Sequence, residues 1–283
     1  MTSIALLGTG LLGSGLAEAA AARGDTVTVW NRTAAKASAL EFRGIRVAAT
    51  PADAVRGAAR VHLVLRDDAV VNEVIAALRP GLGADAVICD HTTTQPALTA
   101  ERATRLAAEG VRYLHCPVFM GPPAARKGEG VMMVAGAGAL FESVKLDLAA
   151  MTGHLEYLGE RPDLAAAYKL FGNALIIGIG AVMADVLTMA KASGIDAGSA
   201  MKLFDFFNPA TDLAARGRNM LNATAAPTFE LQMARKDIRL MIETAGALPL
   251  AALPGIAARM DALIEAGHGA EGVNVLATAA RAR

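Results

Sequence analysis

Short runs of β-branched and other apolar residues recur along the first half of the chain, and helix-like stretches separate most of them. Runs of this length, bounded by turn residues, are typical of buried strands. The predicted strands are Ile4 to Leu7, Thr26 to Trp30, Val61 to Leu65, Ala86 to Cys89, Arg112 to Leu114, Val131 to Ala135 and His154 to Leu158. Their alternation with helices predicts crossover units and a mainly parallel sheet that is covered on both faces.

The second half of the chain has helical character and contains no convincing strand after Asp163. The predicted helices are Asp163 to Ser193, Ala197 to Phe207, Thr211 to Leu221, Phe229 to Ala245 and Leu253 to Ala266. The change of pattern places a domain boundary near Arg161 and Pro162. We therefore expect a doubly wound α/β domain, 1–162, and an all-α domain, 163–283, joined directly by the first long helix.

One segment of that long helix resembles a membrane span at first sight. Leu170 to Ala184, "LFGNALIIGIGAVMA", carries no charge, but it is too short to cross a bilayer and lies between Lys169 and Asp185. We interpret it as a buried helix. The apolar N-terminal run has no basic residue before it and is broken by glycines, so we do not expect a signal peptide.

The composition narrows the classes of function. Lys and Arg total 27 of the 283 residues and Asp and Glu also total 27, so no overall field attracts nucleic acid or an anionic membrane. Cys89 and Cys116 are the two cysteines, and they form neither a disulfide framework nor a metal-ligand spacing with the five histidines. We expect no metal site and a reducing, cytoplasmic location.

The N-terminal stretch "IALLGTGLLGSGLAEAAAARG" places three glycines between a predicted strand and an Ala-rich helix. In that context Gly8 permits a tight turn, Gly10 lets the backbone approach a pyrophosphate, and Gly13 lets helix and strand pack closely. The helix N-terminus favours an anion through its free N–H groups and its dipole. The first domain is therefore predicted to be a Rossmann-type dinucleotide-binding domain.

The end of the second predicted strand favours NADPH over NADH. An NAD site usually has an acidic residue about 20 residues after the glycines, where it binds the ribose hydroxyls. This chain has Asn31, Arg32 and Thr33 there, without a carboxylate, and the guanidinium of Arg32 suits a 2′-phosphate. The alternative is that Arg32 and Lys36 only solvate a helix start.

Further motifs give the chain its family resemblance. Lys169 and Asn173 lie at i and i+4 of an apolar helix, and Lys236 with Asp237 lies near the start of another helix. With the glycine fingerprint, "NRT" at 31–33 and "DHTTTQP" at 90–96, the order and spacing resemble the β-hydroxyacid dehydrogenase family. That family includes 3-hydroxyisobutyrate dehydrogenases, glyoxylate and succinic semialdehyde reductases and, more distantly, imine reductases and 6-phosphogluconate dehydrogenase.

The resemblance implies hydride transfer between NADP(H) and a small substrate, with Lys169 as the proton donor and Asn173 as a substrate-positioning residue. An ammonium group at hydrogen-bond distance would stabilise the developing alkoxide and supply its proton. Lys236 matches the lysine that lies near the nicotinamide in the family. The alternatives without a catalytic role are that Lys169 snorkels from a core helix to solvent and that Lys236 and Asp237 form a solvated pair.

The stretch "CPVFMGPPAARKGE", 116–129, is predicted to be a loop between two buried strands. The family usually has a sequence close to D-A-P-V-S-G-G here, whose Ser hydroxyl and Gly amides hold a substrate carboxylate. This chain has Phe119 and Met120 in place of the Ser and the first Gly, and it retains Gly121. The substitution removes a hydroxyl donor and adds a flexible, bulky side chain.

Three interpretations of that substitution compete. The loop lines an apolar pocket for a substrate without a carboxylate, or a carboxylate binds through Gly121, Thr94 and a cation such as Arg126, or catalysis has been lost. Separately, Phe119 and Met120 could point into the core rather than the pocket. Imine reductases usually replace the catalytic lysine with an acid or a tyrosine, so the intact Lys169 ranks carbonyl reduction ahead of C=N reduction. The sequence selects neither the substrate nor the reaction direction.

Together these motifs predict an NADPH-dependent reductase of a small aldehyde, ketone or semialdehyde. The alternatives are an imine reductase and a catalytically silent NADPH-binding protein. We expect a homodimer through the C-terminal helices, with no nucleic-acid or membrane partner. The expected substrate-binding residues are Phe119, Met120, Gly121, Thr94 and Lys236. The expected cofactor-binding residues are Gly8, Gly10, Leu11, Leu12, Gly13, Asn31, Arg32, Thr33, Leu65, Arg66, Asp67, Thr94, Lys236 and Asp237.

Overall fold

The computed structural model describes residues 2–221 and 227–281. The chain forms two compact units, 1–173 and 174–283. Their division lies inside a helix of 29 residues, Leu164–Ala192, so residues 164–173 of this helix belong to the first unit.

A six-stranded parallel sheet forms the centre of the first unit. Its strands are β1 (Ser3–Leu7), β2 (Thr26–Trp30), β3 (Arg46–Val47), β4 (Arg60–Leu63), β5 (Val87–Asp90) and β6 (Arg112–His115). They lie in the order β3-β2-β1-β4-β5-β6. The direction of winding reverses between β1 and β4, and ligands of such sheets bind outside the carboxyl ends of the strands at this switch point. The predicted doubly wound sheet is confirmed.

Helices cover both faces of this sheet. They are α1 (Leu11–Ala22), α2 (Ala34–Ser38), α3 (Pro51–Val55), α4 (Asp68–Leu78) and α5 (Pro96–Ala108). Side chains of a strand alternate between the two faces, and β1 shows this directly. Ile4 and Leu6 belong to one buried cluster, whereas Ala5 and Leu7 belong to the other. The strands are therefore apolar on both sides, as parallel sheets require.

A second, three-stranded sheet corrects the prediction that 116–129 is a loop. This sheet contains β7 (Val118–Phe119), β8 (Val131–Val134) and β9 (His154–Tyr157). β7 pairs antiparallel to β8 and β9 pairs parallel to it. Residues Pro122–Lys127 form a short helix, α6, with Pro at its start, and α7 spans Gly138–Ala149. A strand of two residues, such as β7, is too short to be recognised from a hydrophobic pattern.

The described residues of the second unit form helices joined by loops, with one isolated bridge between Glu230 and Gly272. The long helix α8 (Leu164–Ala192) is followed by α9 (Ala197–Met201), α10 (Leu213–Met220), α11 (Leu231–Ala245) and α12 (Leu253–Leu263). Apolar side chains of α11 and α12 form its core, including Leu231, Ile238 and Met260. The buried Asp185 carboxylate accepts backbone N–H groups of residues 251–253, which ties α8 to the start of α12.

The prediction that Leu170 to Ala184 is buried is wrong. Large apolar side chains on several sides of α8 are exposed, among them Leu175, Ile177 and Ile179. Within the described residues, α8 is the one helix long and apolar enough to cross a bilayer; an 18-residue window has mean hydropathy 2.0 and is only 6% buried. Composition alone does not distinguish an internal helix from one that needs a partner outside its own chain.

Candidate functional site

The glycine-rich turn after β1 is built by close backbone approach. Gly8 has φ of 103°, and a Cβ at this position would lie 2.1 Å from Val64 O. A Cβ at Gly13 would lie 1.9 Å from Gly8 O, so the first turn of α1 packs directly on the loop. At Gly10, in contrast, no neighbouring atom lies within 4 Å of the Cβ position. Gly10 therefore presents bare backbone to open space.

The start of α1 offers an anion site beside this turn. Gly10 is the N-cap residue, and no side chain caps the helix. The first N–H groups of an α-helix have no intrahelical partner and carry the positive end of its dipole. Because Gly10, Leu11 and Leu12 line the adjoining cavity, a diphosphate group fits the chemistry of this helix start.

A cavity of about 460 Å³ lies at the carboxyl ends of β1, β2, β4 and β5. Its lining combines the glycine turn, the end of β2 and the segments after β4 and β5. The lining residues are Gly8, Gly10, Leu11, Leu12, Trp30, Asn31, Arg32, Thr33, Lys36, Val64, Leu65, Arg66, Val70, Glu73, Val74, His91, Thr92 and Thr93. This position and these residues fit a dinucleotide.

Asn31 connects the glycine turn to the end of β2. Its side-chain carbonyl accepts Thr9 N–H at 3.1 Å, and its amide donates to Thr33 O at 3.0 Å. The connection shapes a cavity wall from which the side chains of Arg32 and Lys36 extend, both of them exposed. A third cation on the wall, Arg66, pairs with Asp67 at 2.7 Å.

The segment after β5 contributes cavity residues that sequence reasoning did not assign. Buried Asp90 accepts Thr92 N–H at 3.0 Å and the Tyr113 hydroxyl at 2.8 Å. The Thr92 hydroxyl in turn accepts Leu65 N–H at 3.0 Å. Asp90 thus sets the position of the cavity wall at Thr92. The motif "DHTTTQP" could have predicted these cavity residues, because residues that follow a central parallel strand lie at the switch point where ligands bind.

His91 links this cavity to the segment between β6 and β7. Its Nδ1 lies 2.7 Å from Cys116 O, which can only accept, so Nδ1 carries the proton. His91 Nε2 then accepts from His62 Nδ1 at 2.9 Å. This arrangement leaves His62 Nε2 buried and without a partner among the described residues. Burial lowers the pKa of His91 and, with His91 and Arg60 nearby, lowers the pKa of His62 well below its ordinary value.

Some residues assigned to the cofactor lie outside the cavity lining. Gly13 packs behind the turn, and Asp67 caps α4 by accepting Val70 N–H at 3.0 Å. Thr94 is buried, and its hydroxyl contacts Thr99 at 2.7 Å and His115 at 3.1 Å. The Thr94 hydroxyl is therefore occupied by contacts within the protein, and it is Thr92 and Thr93 that line the cavity.

Lys236 and Asp237 belong to the second unit. They lie in the second turn of α11, where Lys236 Nζ and an Asp237 carboxylate oxygen form an ion pair at 2.9 Å. Both side chains are partly exposed.

Lys169 lies in the part of α8 that belongs to the first unit. Ala165, Lys169 and Gly172 follow the i, i+4, i+7 spacing of one helix face. Ala165 is buried against the second sheet, and Lys169, Gly172 and Asn173 are half-buried. Removal from water lowers the pKa of the Lys169 ammonium below its ordinary value. Across residues 2–221 and 227–281 no carboxylate pairs with Lys169.

Phe119 and Met120 diverge in the structure. Lys169 Nζ lies 4.2 Å from the centre of the Phe119 ring, a cation–π distance. Met120 packs against the large core cluster of the first unit. Met120 therefore packs into the core, as the alternative interpretation expected, whereas Phe119 lies beside Lys169. Gly121 is the N-cap of α6.

Helix α6, which follows Phe119 and Met120, packs against α1, the helix that begins at the glycine turn. A Cβ at Gly15 would lie 3.1 Å from Pro122 O and 3.2 Å from Ala125 Cβ, which shows how closely the two helices pack. Arg126 Nε forms an ion pair with Glu18 at 2.9 Å. Arg126, which one interpretation of the sequence assigned to a substrate carboxylate, is thus paired with a carboxylate of α1. No cluster of three or more His, Cys, Asp or Glu side chains in the described ranges could hold a metal ion.

The comparisons with known proteins agree with this geometry. A family described as the NAD binding domain of 6-phosphogluconate dehydrogenase matches residues 3–159. The cytokine-like nuclear factor N-PAC of Xenopus tropicalis is 30% identical over 250 residues, which are 84% of this chain and 45% of that protein. The chain thus spans about half the length of that relative. An uncharacterized oxidoreductase of Shewanella frigidimarina (strain NCIMB 400) is 28% identical over 265 residues, 89% of this chain and 90% of that protein.

Among solved structures, the imine reductase from Myxococcus stipitatus in complex with NADP+ has a TM-score of 0.85 to this chain. Its sequence identity is 23%, over 98% of this chain and 99% of that chain. At that identity the likeness establishes the fold. The family match covers more than half of the 283 residues and contains the glycine turn and the switch-point cavity. The chain therefore belongs to the 6-phosphogluconate dehydrogenase-like family of NAD(P)-dependent oxidoreductases, in keeping with its resemblance to the β-hydroxyacid dehydrogenases.

Proposed function

We propose that the protein is an NADPH-dependent reductase of small carbonyl compounds, which in reverse oxidises the corresponding alcohol or 3-hydroxyacid. One observation carries this proposal. Lys169 presents a half-buried ammonium group that has no ion-pair partner in the described part of the chain and lies 4.2 Å from the Phe119 ring. This ammonium is in the same unit as the dinucleotide cavity.

The cofactor would be held by residues that the cavity already brings together. The backbone at Gly10 to Leu12 suits the diphosphate, and the wall around Asn31 and Arg32 suits the adenosine ribose and its phosphate. Thr92 and His91 form the wall beyond β5. When bound, the reduced nicotinamide supplies a hydride to the carbonyl carbon.

Lys169 would complete the reaction as the general acid. Its ammonium donates one proton to the developing alkoxide, which yields the alcohol product and a neutral amine that solvent protonates again. The pKa of Lys169, lowered by removal from water, brings the group closer to the operating pH, where a general acid works best. Asn173, one turn further along α8, offers an amide that can position the substrate oxygen.

The charge at Lys169 favours C=O over C=N reduction. A C=N bond accepts hydride most readily as a protonated, cationic iminium. A second positive charge next to a half-buried ammonium without a carboxylate companion is unfavourable. C=N reduction, the activity for which the fold neighbour from Myxococcus stipitatus is named, is therefore the second candidate.

Preference for NADPH is supported by the cations of the cavity wall. Arg32 and Lys36 are exposed there, and the segment 31–33 contains no carboxylate that would repel a 2′-phosphate. The fold neighbour from Myxococcus stipitatus was solved with NADP+. Glu73 is the one acidic side chain in the lining.

The exposed surface of α8 supports assembly into a homodimer. Leu175, Ile176 and Ile177 are 59%, 61% and 70% exposed, and a second copy of the same helix is a partner of matching apolar character. Within the second unit, α8 and residues 204–213 line an apolar groove of about 710 Å³. The apolar lining of the groove suits the apolar side chains of another helix. A membrane is the competing partner for this surface.

The test of the proposed activity is a panel of aldehydes, ketones, semialdehydes and cyclic imines, assayed by NADPH and NADH consumption. We expect turnover with carbonyl compounds and weaker or no turnover with imines. Turnover of imines alone would establish the second candidate. NADPH binding without turnover of any compound would establish the third, a silent binding protein.

A further inference from the structure

Phe119 is held firmly at the edge of the second sheet. Its backbone pairs with Val131 of β8. The ring is partly buried and packs against a small cluster that contains Met133, Ala135 and Ala165. The first turns of α8 therefore rest on a surface to which Phe119 contributes.

Gly172 makes room on α8 for this ring. A Cβ at residue 172 would lie 2.2 Å from Phe119 Cζ and 2.6 Å from Cε1, far inside the contact distance of two carbon atoms. The φ of Gly172 is not positive, so the helical backbone does not require a glycine there. A glycine inside a helix is less stable than an alanine. The ring of Phe119 is thus the physical reason for Gly172.

The same ring covers one side of the Lys169 ammonium. Lys169 and Gly172 are three residues apart and share a helix face, so one aromatic side chain contacts both. The negative face of the ring attracts the cation at 4.2 Å from its centre. Phe119 consequently occupies space next to the proposed proton donor.

An anionic substrate group would be poorly accommodated beside this ring. A carboxylate placed against the ring would lose water and gain no donor from the ring, whose face carries negative potential. Arg126 does not compensate, because it pairs with Glu18. If Lys169 paired with a substrate carboxylate, its ammonium would be diverted from the carbonyl oxygen.

We infer that Phe119 and Gly172 form a specificity pair that selects carbonyl substrates whose flanking group is uncharged, such as an alkyl, aryl or ester group, over their carboxylate analogues. The inference rests on the proposed carbonyl reduction and gives it a substrate class. Phe119 supplies the apolar wall, and Gly172 allows the ring to reach its position next to Lys169.

Substrate choice is tested with succinic semialdehyde and its methyl ester, which differ in charge, using the full-length enzyme and NADPH. We expect kcat/KM to favour the ester by about tenfold or more, and Phe119→Ser to reduce this ratio toward one. Phe119→Leu, which stays apolar, should keep the ratio. Met132→Leu, in the buried core cluster, is the control and should also keep the ratio. An acid-preferring wild type, or a ratio that Phe119→Ser leaves unchanged, would overturn the inference.

The pairing itself is tested by a double-mutant cycle in melting temperature, which needs no turnover. Gly172→Ala should lower the melting temperature of the wild type, because the added methyl displaces the ring. In the Phe119→Ser or Phe119→Leu background the same change should raise it, because alanine favours the helix. A change of the same sign in every background would show that no pair exists. If wild type consumes no NADPH with any carbonyl compound of the panel, the proposed carbonyl reduction is wrong, while the melting temperatures still decide whether Phe119 and Gly172 are coupled.

Discussion

The ammonium of Lys169 lies 4.2 Å from the centre of the Phe119 ring, so the proposed proton donor rests against an aromatic face rather than a carboxylate. An ion pair would raise the pKa of the lysine, whereas partial removal from water lowers it. This arrangement gives the first unit a cation that can lose its proton more readily than an ordinary lysine.

Lys169→Ala should reduce turnover of a carbonyl substrate by about 100-fold or more, the usual contribution of a positioned acid. NADPH affinity should be unchanged, because Lys169 does not line the dinucleotide cavity. Steady-state kinetics and calorimetry with NADPH measure the two effects. Lys191→Ala, at the exposed end of the same helix, is the matched control. Equal turnover of Lys169→Ala and wild type would remove Lys169 from the mechanism.

The pH profile gives an independent test of the same residue. Reduction requires the protonated ammonium, so kcat should fall as pH rises through the Lys169 pKa, which lies below its ordinary value. Oxidation of the alcohol requires the neutral amine and should rise over the same range. Loss of this pH dependence in Lys169→Ala is expected; its persistence would assign the titration to another group.

Arg32→Ala should remove most of the preference for NADPH. We expect wild type to bind NADPH at least about tenfold more tightly than NADH, or about 1.4 kcal/mol, since Arg32 lies on the cavity wall without a neighbouring carboxylate in 31–33. Affinity for NADH should change little. Arg43→Ala, outside this cavity, controls for the loss of a surface charge. Equal affinity of the wild type for both cofactors by calorimetry would refute the preference.

Ile177→Asp should convert the proposed dimer to a monomer. Ile177 is 70% exposed in the single chain, and a carboxylate buried between two copies would be strongly destabilising. Light scattering at micromolar concentration measures the mass. Leu146→Asp on α7, where the leucine is 86% exposed, should leave the mass unchanged. A monomeric wild type would contradict the dimer, and flotation of wild type with liposomes would indicate a membrane partner instead.

The buried pair His62 and His91 should make the first unit sensitive to acid. Their folded pKa values are lowered, chiefly by burial, while unfolded histidine titrates near 6.5. Below about pH 6.5 the unfolded state therefore binds more protons, and stability falls by up to about 1.4 kcal/mol per pH unit for each histidine. Melting temperatures from pH 7 to pH 5 should drop.

His62→Asn should weaken that drop. The Asn amide can still donate to His91 Nε2, and it removes the buried Nε2 that has no partner among the described residues. His154→Asn, an exposed histidine, should follow the wild-type curve. An identical slope in all three proteins would show that the buried pair does not control acid stability.

The sequence by itself determined the doubly wound sheet, the helical second half and the glycine turn. These features depend on local patterns: the apolar runs of β1 and β2, the positive φ required at Gly8, and the close packing at Gly13. The sequence also predicted that Lys169 and Asn173 share one face of α8, because residues four apart in a helix lie on the same face.

Tertiary structure alone decided what surrounds those elements. The two-residue strand β7 exists because β8 pairs with it, and no local pattern reveals so short a strand. Phe119 ends β7 and Met120 follows it directly, yet the two side chains pack against different clusters. Likewise, the hydrophobicity of α8 predicted a buried helix, although a single chain leaves its apolar faces exposed. Periodicity records that a residue is apolar; only the fold decides which atoms cover it.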